Sequence, residues 1–149
     1  MDMPALPQDF KEFLRLLNER QVKYLLVGGY AVGYHGYPRA TADIDFWVAT
    51  SRDNASKLTA LLREFGFNDP ALSESLFLED NRIIRMGVPP FRIEIITTAS
   101  GVDFLECYSR RLDAVIDDES VSIISLADLK TNKEASGRLK DLADLEYLP

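Results

Sequence analysis

The run Asp43-Ile44-Asp45-Phe46-Trp47-Val48 constrains this chain more than any other segment. In an extended backbone alternate side chains share a face and the chain rises about 3.3 Å per residue. Asp43 and Asp45 therefore project together, roughly 6 to 7 Å apart at their backbones, while Ile44 and Phe46 face a core. Aspartate is depleted in strands, and two on one face repel and raise one another's pKa unless a cation lies between them. Hard carboxylate oxygens suit Mg²⁺. A strand with one apolar face and one metal-binding end is the expectation. Gly28-Gly29 stands upstream with thirteen residues between it and Asp43, following the apolar run Leu25-Leu26-Val27.

At 149 residues the chain has the length of one ordinary domain, and 46% hydrophobic content is enough for a real core. We read residues 1–149 as a single unit, with 1–124 as the sheet-bearing core and 125–149 as a helical tail packed on it. The net charge of −7 argues against broad, charge-driven binding to duplex nucleic acid, which needs a basic face to release counterions. A small nucleotide bound through Mg²⁺ remains compatible. A lone cysteine, Cys107, excludes an internal disulfide and a zinc-type cluster, and reads as packing. The acidic start and the glycine-broken apolar stretch from Tyr24 to Tyr34 predict no targeting or membrane-spanning segment, hence a cytoplasmic protein.

Helical spacing of Phe10, Phe13, Leu14 and Leu17 predicts an amphipathic opening helix over 9–19. Residues 22–27 read as an apolar strand, Gly28-Gly29 as a turn into a short helix near 31–35, and 41–49 as a second strand. Asp53 is the expected cap of a helix with Ala55, Leu58, Leu61, Leu62 and Phe65 on its buried stripe, stopped by Gly66. Residues 76–78, 82–86 and 91–97 read as short extended pieces, 103–110 as a short helix and 121–124 as a last strand. Ser125 caps a helical tail over 126–148, interrupted near Gly137. The whole predicts an α/β or α+β domain with a small mixed sheet.

Phosphoryl transfer needs in-line positioning and cations that offset charge on the entering and leaving oxygens, which two metals on three carboxylates supply. Glu94, in Phe91-Arg92-Ile93-Glu94-Ile95-Ile96, qualifies as the third carboxylate because Ile93 and Ile95 alternate away from it; an edge-strand glutamate facing water is the competing reading. Gly28-Gly29 sits where a strand feeds a helix, so bare N–H groups can approach phosphate oxygens, although such a pair also serves as a tight bend. The spacing is not the GxGxxG of dinucleotide folds.

With Gly28-Gly29, Asp43-Ile44-Asp45 and a later strand carboxylate, the chain resembles the polymerase-β-type nucleotidyltransferase superfamily. The fuller pattern Val27-Gly28-Gly29-Tyr30-Ala31, His35-Gly36, Arg39, Thr41, Asp43-Ile44-Asp45 is similar to small bacterial nucleotidyltransferase-like proteins, including the AbiEii-like toxins, and the tail from Asn132 to Asp144 matches their Lys-rich ending. The resemblance implies a nucleotidyltransferase fold and Mg²⁺-dependent, or Mn²⁺-dependent, transfer of a nucleoside monophosphate from an NTP to an acceptor hydroxyl, with release of pyrophosphate. Asp43, Asp45 and Glu94 would be the catalytic metal ligands, although the family position matching Glu94 is usually aspartate. Gly28 and Gly29 would cradle the triphosphate.

Arg39 reads as a phosphate ligand, a surface residue or a counterion to Asp43, and Lys133, Arg138 and Lys140 as positive charge over the triphosphate. A Lys140–Asp144 helix-surface pair is the competing reading for Lys140. His35 reads as a loop-ordering residue rather than a base, and Tyr24, Tyr30, Tyr34 and Tyr37 as packing rather than a base platform. The acceptor stays open among RNA, a protein side chain and a small hydroxylated molecule. Partners stay open as well: a second copy of the chain, or a cognate antitoxin if the protein is a non-catalytic member of a toxin–antitoxin pair.

Overall fold

A computed structural model describes residues 5–38, 41–88 and 90–149. The order is α1 (Gln8–Glu19), β1 (Tyr24–Val27), α2 (Gly28–Tyr34), β2 (Asp43–Val48), α3 (Arg52–Phe65), a single 3-10 turn (Glu74–Leu78), β3 (Ile83–Met86), β4 (Arg92–Ile96), α4 (Phe104–Ser109), β5 (Leu112–Ile116), β6 (Glu119–Ile123), α5 (Leu126–Ser136) and α6 (Leu139–Tyr147). The six strands form one mixed sheet in the order β3-β4-β2-β1-β6-β5. It is an α+β arrangement. β1 runs antiparallel to β2 and parallel to β6, β2 and β4 are parallel, and antiparallel hairpins close both sides.

Strand alternation sorts side chains into two layers. On one face Tyr24, Leu26, Ile44, Phe46, Ile93 and Ile95 are all buried. The apolar stripes of α1 and α3 cover this face, with the Phe13 ring centroid 5.6 Å from Phe46 and 5.2 Å from Phe65. On the other face Trp47 packs edge-on against Phe104 of α4, centroids 5.2 Å apart. Beyond Trp47, toward the start of β2 and β4, the acidic positions lie on this second face, with Val27 of β1 beside Asp45.

Local signals set most helix ends. Gly66 and Gly137 take left-handed conformations at φ 103° and 65°, which glycine enters without steric cost, and they terminate α3 and α5. Ser125 Oγ accepts from the Asp128 amide as the cap of α5. Three expectations are corrected. The cap of α3 is Ser51, whose Oγ accepts from the Asn54 amide at 3.3 Å, and Asp53 lies inside the first turn. Residues 76–78 are not extended: Phe77 is fully buried and anchors a 3-10 turn against α3. β5 was not expected at all. It pairs with β6 through a two-residue connection, Asp117-Asp118, with φ of 49° and 65°, the double positive φ of a type I′ hairpin.

Candidate active site

Asp43 and Asp45 leave β2 on the face opposite Ile44 and Phe46, and β4 runs parallel beside them. Asp43 stands opposite Arg92 and Asp45 opposite Glu94. β3 adds Arg85 opposite Glu94. A row Asp45–Glu94–Arg85 therefore crosses three adjacent strands, spaced by the ladder distance of about 4.8 Å per strand. β4 is an internal strand and the edge is β3, so Glu94 is not the solvated edge residue of the competing reading. The three carboxylates, Gly28, Gly29 and Thr41 line one cleft of about 480 Å³, roofed by the α5–α6 tail through Asn132, Lys133, Ser136, Arg138, Lys140 and Asp141.

Both glycines are required by close approach. Gly28 has φ 68°, and a Cβ there would collide with Oδ2 of Asp45. A Cβ on Gly29 would stand 2.8 Å from Oγ1 of Thr41, whose hydroxyl donates to the Asp43 carbonyl at 3.1 Å. Packing of the strand–helix turn onto the carboxylates and onto the loop before β2 thus explains the pair. Backbone close to Asp45 also leaves room for a ligand that a side chain would fill.

Burial first, then hydrogen bonding with Glu94 and repulsion from Glu94 and Asp43, push the Asp45 carboxyl up to about 7; Lys140 acts in the opposite sense. Glu94 is shifted the other way. Burial opposes its ionisation, but the hydrogen bond from Asp45 and the guanidinium of Arg85 outweigh it and hold Glu94 below its ordinary value. The two shifts are opposite in sense, so below neutral pH Asp45 is the member of the pair that favours its protonated form, as expected when two carboxylates meet. Arg85 Nε donates to Glu94 Oε1 at 2.8 Å.

Such a donor set suits a hard divalent cation, whose charge removes the reason for the proton. Among the described residues no three acidic, His or Cys side chains stand grouped closely enough to hold an ion in the observed rotamers. Glu94 is engaged by Arg85 instead.

The basic residues sort into two kinds. Lys140 is exposed on the cleft rim, and its charge acts on both Asp45 and Glu94. Lys133 also borders the cleft, but it is only 4% exposed and its Nζ is clamped by Asp141 at 3.0 Å and Asp144 at 2.9 Å. Its charge is already answered. Asp144 thereby joins Lys133. Arg138 donates to Asp141 from Nε at 2.7 Å and lies within the electrostatic reach of Asp45 and Glu94. Arg39 lies outside the described residues.

His35 Nε2 is 2.7 Å from the Ile124 carbonyl, tying α2 to the end of β6 and away from the cleft. Tyr24, Tyr30 and Tyr37 are likewise structural, whereas Tyr34 is exposed at 38%. Tyr24 is buried, donates to Asn18 Oδ1 at 2.9 Å and has its hydroxyl pushed up to about 12 by burial; Tyr30 packs on Phe10, and Tyr37 stacks on Tyr147. Cys107 is buried, and burial together with Asp128 raises its thiol to about 11. No helix among the described residues is long and apolar enough to cross a membrane.

Sequence reading did not single out Arg85 or Arg82, which line the same cleft. A signal existed for Arg85. It is the charged residue of the strand Ile83-Ile84-Arg85-Met86, and antiparallel pairing with β4 puts it across from Glu94. No protein-family model matches this chain, and no curated protein matches it significantly.

Proposed function

We propose that this protein is a divalent-cation-dependent nucleotidyltransferase of the polymerase-β type, transferring a nucleoside monophosphate from an NTP to an acceptor hydroxyl. The observation that supports this reading is the side-by-side register of Asp45 with Glu94, with Asp43 on the same face, in a cleft reached by the Gly28 backbone. Asp43, Asp45 and Glu94 would hold Mg²⁺ or Mn²⁺, which supplies charge neutralisation on the triphosphate. The Gly28-Gly29 turn admits phosphate oxygens close to the backbone. Lys140, with Arg138 behind it, offsets the remaining negative charge from the tail side. As the acceptor oxygen bonds to the α-phosphorus, the bond from that phosphorus to the bridging oxygen breaks, pyrophosphate leaves with the electron pair, and the acceptor proton passes to a Glu94 carboxylate oxygen.

The test is NTP turnover with Mg²⁺ and candidate acceptors drawn from RNA, protein and small hydroxylated molecules, comparing wild type with Asp43→Asn and Asp45→Asn. Loss of pyrophosphate release in both variants is expected. Equal turnover in all three proteins refutes the proposal.

One observation favours a second reading. The Arg85–Glu94 pair neutralises the third carboxylate, as suits a non-catalytic nucleotide-binding or regulatory module, for instance one member of a toxin–antitoxin pair or a homo-oligomer. Thermal stabilisation by Mg²⁺ and NTP without turnover, together with tight co-purification of a partner chain, would select this reading.

A further inference from the structure

Resting on the reading of a cation-loaded nucleotide site, we infer that Arg85 is an exchangeable counter-charge: it neutralises Glu94 in the unloaded site and passes to the nucleotide phosphates when a divalent cation claims that carboxylate. Three observations carry this. First, Arg85 and Glu94 are register partners on β3 and β4, so the guanidinium reaches the carboxylate without backbone movement. Second, the environments are unequal. The Glu94 side chain is 19% exposed and fixed in the cleft floor, whereas that of Arg85 is 57% exposed and can leave at little cost. Third, Arg85 lines the same cleft as Asp43, Asp45 and Lys140.

Divalent charge on Glu94 outcompetes a single guanidinium for the same oxygens, and it brings with it a polyanion that needs planar, paired donors. A released arginine on a strand edge two ladder steps from Asp45, about 10 Å at the backbone, is within reach of a triphosphate held over the carboxylates. Arg85, from β3, and Lys140, from α6, would then both grip the phosphates. Cation and arginine are thus mutually exclusive on Glu94 but cooperative once nucleotide is present. Neighbouring Arg82 differs, since its Nε donates to Glu79 at 2.7 Å, away from the carboxylates.

The experiment measures Mn²⁺ binding by calorimetry without nucleotide, then binding of a non-hydrolysable ATP analogue with Mn²⁺, for wild type, Arg85→Gln, Arg85→Lys and Arg82→Gln. Arg85→Gln is expected to bind Mn²⁺ about threefold to fivefold tighter, because the competing partner is gone, yet to bind the analogue roughly tenfold more weakly. Arg85→Lys recovers part of the analogue affinity. Arg82→Gln removes the same charge without freeing Glu94, and leaves Mn²⁺ affinity nearly unchanged. Equal Mn²⁺ shifts in the Arg82 and Arg85 glutamine variants, unchanged Mn²⁺ affinity in Arg85→Gln, or tighter Mn²⁺ with undiminished analogue binding each overturn the inference alone. Failure of wild type and Arg85→Gln alike to bind Mn²⁺ overturns the nucleotidyltransferase reading and the inference with it.

Discussion

Replacing Lys133 by Met tests whether this cation is a structural anchor or a substrate ligand. The residue is 4% exposed and its ammonium is held at 3.0 and 2.9 Å by Asp141 and Asp144, themselves 1% and 3% exposed. Methionine fills similar volume, so the loss is electrostatic. Removing one partner of a buried ion pair costs about 3 to 5 kcal/mol, since the remaining charge stays desolvated. Arg138 still reaches Asp141 at 2.7 Å, which places the expected loss near the lower end, about 3 kcal/mol. For a chain of this size that is a fall in Tm of roughly 6 to 12 °C.

The loss depends on pH with a definite sign. Burial opposes Asp141 ionisation, but hydrogen bonds from Arg138, Lys133 and Ser136 override it and hold the carboxyl well below its ordinary range. A depressed folded pKa contributes stability that is present above the unfolded value of about 3.9 and is lost as pH falls through the folded value. Without Lys133 the depression is relieved and Asp141 protonates more readily, so the gap between variant and wild type narrows as pH falls below about 4. Urea unfolding at several pH values reads both effects. A cost below about 1 kcal/mol at neutral pH, or a gap that widens on acidification, refutes the buried-triad account.

Lys140→Gln gives the contrasting result: an unchanged unfolding midpoint, because the residue is exposed, with nucleotide affinity weakened about fivefold in an equilibrium binding assay. Gly28→Ala combines a strained positive φ with a Cβ driven into the Asp45 carboxylate, so calorimetric Tm and Mn²⁺ affinity fall together. In EDTA, Asp45→Asn stabilises the fold at pH 8. Asp45 has a folded pKa raised to about 7, so the stability it contributes is full below the unfolded value and is lost as pH rises toward 7. Asparagine keeps the neutral shape, and the advantage, on the order of 1 to 3 kcal/mol by urea unfolding, disappears near pH 4.

Periodicity and local chemistry were enough for much of this protein. The alternation around Asp43 and Asp45 named the two faces of β2, the Ile93–Glu94–Ile95 alternation did the same for β4, and Ser125, Gly66 and Gly137 marked helix ends through bonds and dihedrals that depend only on nearby residues. Face, however, is not neighbourhood. That Glu94 lies beside Asp45 on an internal strand, that Arg85 crosses from β3 to engage it, and that Lys133 turns inward to two aspartates while Lys140 remains over the cleft were decided by strand order and by the docking of the tail. Local sequence sets which way a side chain points; which charge it meets depends on segments brought together from far along the chain, and with that meeting come the raised pKa of Asp45 and the division of the lysines into anchor and rim.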